Sequence, residues 1–183
     1  TVTVKKNTDI HAEKKLLTEN IQYDHGNPYL EYQVTVSSEN GTEGKVKIED
    51  QIAEWKNLYG TYSDFAQKSS SETDKTGTSI SVQPTITNSA SGAPKGAETK
   101  FEIDNLDALK AGERYELTYR YQLSRGLSKN GKLSGSIGNK VIATDKGNEK
   151  FSPSENSTSF SDRIEKSSNY DSVRRKVTWT ITV

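Results

Sequence analysis

An all-β fold is predicted by the sequence: an antiparallel β-sandwich of about nine or ten strands with minor helical turns. Three observations predict it. Apolar and polar residues alternate with period two over several short segments, the signature of half-buried strands. The stretches between them, SENGTEG, NSASGAPKG, SKNGKLSG and DKGNEKFSPSEN, are loaded with Gly, Asn, Ser and Pro, which turn the chain. Helical periodicity is weak, with no long apolar stripe.

The elements follow in chain order. TVTVKK opens a first strand with Val2 and Val4 on one face; the alternation turns Lys6 inward and Lys5 outward. HAEKKLLTENI (11–21) is expected to make a turn or two of helix. LEYQVTV (30–36) and GKVKIEDQI (44–52) are strands. DQIAEWKNLYGTYSDF is expected to add a short helix, and SSSETDKTGT a mobile loop tip. TSISVQPTI (78–86), TKFEI (99–103), ERYELTYRYQL (113–123), SIGNKVIAT (136–144) and RKVTWTITV (175–183) complete the strands. Without an internal repeat or a sharp break in composition, residues 1–183 are expected to form a single domain. The chain lacks an initiator Met, so it is expected to be a piece excised from a longer protein.

The core is thin. Hydrophobic residues make up 30% of the 183, and mean hydropathy is -0.86, near the level at which chains fail to fold. Nine tyrosines, two tryptophans and a formal net charge of +0 argue for a folded chain, with stability supplemented by something other than burial. There are no cysteines, which excludes disulfides, thiolate metal sites and Cys nucleophiles. Lys+Arg 25 against Asp+Glu 25, mixed along the chain, leaves no basic face for nucleic acid and no polybasic segment for a membrane. No apolar stretch approaches the roughly 20 residues that cross a bilayer as a helix.

Enzyme chemistry finds little support. His11 and His25 are the only histidines and stand in polar, turn-like surroundings, without a nucleophile elbow or metal-ligand spacing. SIGNK lacks the phosphate-loop pattern. DNLD (104–107) lacks the spacing of a calcium loop and is explained by a solvated turn. No cofactor and no metal are expected.

Strand parity gives more. In GKVKIEDQI, Val46 and Ile48 share a face with Asp50. In SIGNKVIAT, Ile137 and Val141 share a face with Asn139. An amine, a carboxyl and a carboxamide are thus each turned inward. Each has an ordinary explanation alone, as a snorkelling Lys, a capping Asp or an Asn satisfying backbone groups. Together they permit one reaction. Burial disfavours charge, so Lys6 becomes a neutral amine and Asp50 a neutral acid. Asp50 can then polarise the Asn139 carbonyl and relay protons as the amine attacks and ammonia leaves. The product is an amide crosslink between Lys6 and Asn139, single-turnover and autocatalytic.

The order of a lysine ending the first strand, YQVTV, KIEDQI, RYELTYRYQL, GNKVIAT and VTWTITV resembles the collagen-adhesin A-type immunoglobulin-like domains of Gram-positive surface adhesins and pilins. The resemblance implies an immunoglobulin-like sandwich carrying a spontaneous Lys–Asn isopeptide bond assisted by a buried acid. Matched position by position, it places the lysine at Lys6, with Lys5 as rival, the acid at Asp50 and the asparagine at Asn139. It also implies an extracellular site at the bacterial cell wall, and neighbouring domains of the same surface protein as partners.

Two functions follow as expectations. One is a stalk or backbone domain, monomeric in isolation and held by the crosslink. The alternative is a module binding a host matrix protein or glycan through an aromatic surface formed by Trp55, Tyr59 and Tyr62, since exposed aromatics favour recognition.

Overall fold

The structure, a computed structural model, describes residues 9–56, 59–88, 92–93, 95–123, 134–161 and 165–182. Its strands run β1 (Ile10–Leu16), β2 (Gln22–Asp24), β3 (Asn27–Ser38), β4 (Val46–Lys56), β5 (Gly60–Ser71), β6 (Thr78–Ile80), β7 (Thr85–Thr87), β8 (Lys100–Leu106), β9 (Glu113–Leu123), β10 (Ser134–Asp145), β11 (Lys150–Ser161), β12 (Glu165–Asp171) and β13 (Lys176–Thr182). All pairings are antiparallel. One sheet is ordered β1-β3-β9-β5-β6 with β2 on β3, a second β11-β10-β4-β8-β7, and β12 pairs β13 in a sheet of two.

The alternating segments are strands as expected, but thirteen are described rather than nine or ten. TSISVQPTI is split into β6 and β7 because Pro84, just before β7, has no N–H to give to a ladder. The two stretches expected to carry helix are strands instead. HAEKKL belongs to β1, and the second stretch is divided between β4 and β5. In β1 the reason is visible in burial: Ile10, Ala12 and Lys14 face inward while His11, Glu13 and Lys15 are exposed, a period of two that the charged residues disguise. β11 arises from DKGNEKFSPSEN, which reads as a turn; its Pro153 is tolerated because β11 is an edge strand. RKVTWTITV forms β13 but joins neither larger sheet.

The inner faces of the two larger sheets share one core. β3 contributes Leu30, Tyr32, Val34 and Val36, and β9 contributes Leu117, Tyr119 and Tyr121, all 0% exposed. From the second sheet come Val46, Ile48, Phe101, Ile137 and Val141. Aromatic rings bridge the layers: Phe101 meets Tyr119 and Tyr62 edge-on, each with centroids 5.0 Å apart. Large rings fill volume that the scarce aliphatic side chains leave open.

β1 closes one side of this core. Its inner edge pairs with β3, while the amides of Ala12 and Lys14 point the other way and donate to Ser152 Oγ and Ser154 Oγ of β11, each at 3.0 Å. The edge amides of the first sheet are thus satisfied by side chains of the second. At one end Asp145 accepts from the amides of Glu43, Gly44 and Gly147, each at 2.9 Å. A Cβ at Gly44 would lie 2.4 Å from Gly147 N, so this approach of two loops requires glycine.

Candidate functional site

The buried polar side chains converge between the sheets. Asp50 lies on β4, where Val46, Ile48 and Ile52 set the inward face, and is 0% exposed. Asn139 lies on β10 between Ile137 and Val141 and is 1% exposed. Beside it the register with β4 shifts: Gly138 pairs Glu54 and Asn139 pairs Ile52, so β4 holds one residue more than β10 at this point. Such a bulge bends its strand locally.

The lysine that meets them is Lys14, from β1. Its side chain is 0% exposed, and its ammonium nitrogen donates to Asp50 Oδ2 and to the Tyr119 hydroxyl. Lys6 and its rival Lys5 lie outside the described residues. Lys14 stands beside the acid and the asparagine, where parity places a lysine, because on β1 it shares the inward face with Ile10 and Ala12. The alternation Ile10, Ala12, Lys14 was there to be found; expecting helix over residues 11–21 concealed it.

Tyr119 is the junction of the cluster. Its hydroxyl accepts from Lys14 Nζ and from Asn139 Nδ2 at 2.9 Å, and donates to Asp50 Oδ2 at 3.0 Å. Tyr62 donates to the other carboxylate oxygen, Asp50 Oδ1, at 3.3 Å. The lysine nitrogen also lies 4.7 Å from the centroid of Tyr32 and 4.9 Å from that of Tyr119. Asn139 Oδ1 and the Tyr32 hydroxyl are buried without a hydrogen-bond partner among the described residues.

Burial dominates the electrostatics. It pushes the Lys14 pKa down, against the charge and hydrogen bond of Asp50. It pushes the Asp50 pKa up, against Lys14 and the hydrogen bonds from Tyr119 and Tyr62. Both shifts favour neutral partners, a free amine beside a carboxylic acid. An unprotonated amine is nucleophilic, and a carboxylic acid can donate the proton that an amide needs to lose its nitrogen. The cluster thus holds an amine, a carboxyl group and a carboxamide in one buried compartment.

Of the aromatic surface expected from Trp55, Tyr59 and Tyr62, Tyr62 is not available. Tyr62 is only 6% exposed and points into the core, because on β5 it shares the inward face with Gly60. Tyr59 is half-buried, and the Trp55 side chain lies outside the described residues. His11 and His25 are exposed, on a strand and in a turn respectively.

No family model and no curated protein matches the sequence. Among solved structures, the chain is similar to the collagen-binding subdomain of the Enterococcus faecalis surface protein ACE, with TM-score 0.46 and 8% identity over 87% of this chain and 100% of that one. It is similar to the full-length major pilin SpaD of Corynebacterium diphtheriae, with TM-score 0.46 and 15% identity over 82% of this chain and 34% of the pilin. It is also similar to a carbohydrate-binding domain of the Clostridium thermocellum scaffoldin cipA, with TM-score 0.39 and 12% identity over 80% of this chain and 90% of that one. At these TM-scores the likenesses carry no argument about function, which rests on the buried cluster.

Proposed function

We propose that the chain is a load-bearing domain of a bacterial surface adhesin or pilin, locked by a spontaneous isopeptide bond between Lys14 and Asn139 with Asp50 as proton relay. One observation carries it: a fully buried lysine, a buried acid and a buried asparagine meet at one tyrosine hydroxyl. A buried ion pair is a poor way to stabilise a core, since desolvation offsets the attraction. Consumption of the amine by an amide bond removes that liability. The proposed bond joins β1, at the edge of one sheet, to β10, inside the other. Load between the ends of residues 14–139 then passes through a covalent link.

The resemblance in strand motifs and residue order supports an immunoglobulin-like sandwich at the Gram-positive cell wall, with neighbouring domains of the same protein as partners. Burial of Tyr62 removes support from the alternative of an aromatic ligand-binding face.

The intact mass of the purified, denatured chain tests the bond. A mass short of the sequence by one ammonia, with fragments joining the peptides that hold Lys14 and Asn139, is expected. An unmodified mass overturns the proposal, and a fragment joining Lys5 or Lys6 to Asn139 overturns the choice of lysine.

A further inference from the structure

We propose that Tyr119 is the proton shuttle of this closure, its hydroxyl delivering to Asn139 Nδ2 the proton that the leaving ammonia requires. The inference rests on the crosslink proposed above and assigns a further catalytic residue to it. The geometry leaves the acid no direct route: among the described residues no hydrogen bond joins Asp50 to Asn139. Tyr119 touches both, at 3.0 Å and 2.9 Å, and also touches the attacking nitrogen. A phenol has one proton and two lone pairs. Here one donation and two acceptances use all three, so the hydroxyl is wired to every group that gains or loses a proton.

The step balances without any co-reactant. Lys14 Nζ, as a free amine, attacks Asn139 Cγ, forming the Nζ–Cγ bond. With Asp50 in its acid form the Tyr119 hydroxyl turns its proton from Oδ2 to the lone pair that Nδ2 gains on attack; Asp50 then gives its proton to the Tyr119 oxygen as the Tyr119 proton passes to Nδ2. The Cγ–Nδ2 bond breaks and ammonia leaves. The Asp50 carboxylate then takes the surplus proton from Nζ through the contact already present. One proton has moved from Nζ to Nδ2, and both Asp50 and Tyr119 end as they began. The surroundings suit such a relay. Tyr119 is fully buried, its ring stacked on Tyr32 with centroids 5.5 Å apart and held edge-on by Phe101, so the hydroxyl is fixed and shielded from bulk water.

Tyr119→Phe removes the hydroxyl and retains the stacked ring. Closure is followed by intact mass at intervals after a pulse of cell-free synthesis, across a pH series. The wild type is expected to lose ammonia, and Tyr119→Phe to do so on the order of 100-fold more slowly, the usual effect of losing one general acid–base group. The pH profile gives a readout that packing alone does not move. Deleting the Tyr119 hydrogen bond removes a stabiliser of the Asp50 carboxylate, so the alkaline limb of the closure rate moves to higher pH. Tyr119→Phe in an Asn139→Ala background, compared with Asn139→Ala alone, checks folding by thermal unfolding; midpoints within a few degrees are expected. Wild-type closure with an equal rate in Tyr119→Phe overturns the shuttle and leaves the crosslink standing. A slow variant with an unshifted profile and a lowered midpoint also overturns it, in favour of a packing role. A wild type that keeps its ammonia overturns both.

Discussion

Replacement of Asn139 by Ala removes the carbon that the Lys14 amine attacks in the proposed closure and leaves Lys14, Asp50 and Tyr119 in place. What is lost is the constraint on the unfolded chain: the proposed bond between residues 14 and 139 closes a loop of more than 100 residues, and a disulfide of similar reach contributes about 5 kcal/mol. The hydrogen bond from Asn139 Nδ2 to Tyr119 at 2.9 Å, about 1 kcal/mol net, belongs to the unclosed chain, because Nδ2 leaves as ammonia on closure. A loss near 5 kcal/mol is a large share of the about 5–15 kcal/mol by which domains are stable. At about 2–4 °C per kcal/mol for a chain of this size, the melting temperature falls by roughly 10–20 °C.

Urea unfolding followed by far-ultraviolet circular dichroism, on wild type and variant at matched pH, reads both the free energy and the slope. The slope carries independent information. A crosslinked chain stays more compact when unfolded and exposes less surface, so the variant should show the steeper dependence on denaturant. A loss of only about 1 kcal/mol with an unchanged slope would refute the reasoning, since that is the signature of a missing hydrogen bond in a chain that was never closed.

Three further outcomes follow from the same geometry. Asp50→Asn should keep the fold and retain the full sequence mass, because Asn is nearly isosteric but has no acid proton; loss of ammonia by this variant would show that Asp50 is not the relay. Ser152→Ala and Ser154→Ala should each cost about 1–2 kcal/mol and speed hydrogen exchange at the Ala12 and Lys14 amides, whose 3.0 Å acceptors they remove; unchanged exchange would show the β1–β11 seam to be immaterial. The third outcome concerns pH. In Asn139→Ala the Lys14–Asp50 pair holds one proton whether ionic or neutral, as does the unfolded chain between the ordinary Asp and Lys pKa values, so the pair adds no pH dependence in that window. In the closed wild type Asp50 stands alone with a raised pKa. Between its ordinary value and the raised one the native state binds the extra proton, so wild-type stability should fall with rising pH relative to the variant, by up to about 1.4 kcal/mol per unit. Parallel stability–pH curves would contradict this.

Much of the site was legible because parity is strict in strands. Val46, Ile48 and Ile137, Val141 are enough to turn Asp50 and Asn139 inward without knowledge of any partner strand. The lysine was harder, since residues 11–17 read HAEKKLL, with good helix formers outnumbering apolar residues. Propensity lost there to tertiary context: Ile10 and Ala12 pack into the core, and the serines of β11 take the amides that a helix would have used itself. Tyr119 was visible as one inward residue of an alternating strand, but parity assigns a face and not a neighbour. Its role depends on which strands lie opposite, and that follows only from the topology.

Why a thin-cored all-β fold should bury a lysine and an acid at its centre follows from the same topology. Among the described strands β1 pairs with β3 alone in its sheet, and the second sheet holds it through side chains, the two serine hydroxyls of β11 and Asp50 of β4. An edge strand so attached has a backbone ladder on one side only to resist peeling when the chain is pulled. The proposed amide bond from Lys14 to Asn139 ties this edge strand to β10, which pairs with β4 on one side and β11 on the other. A reactive trio elsewhere in the core that closed a loop of similar length would constrain the unfolded chain to a similar degree. A trio that includes β1 also secures an edge strand against peeling, which makes the position of Lys14, rather than the mere presence of a crosslink, the feature that fits the proposed stalk.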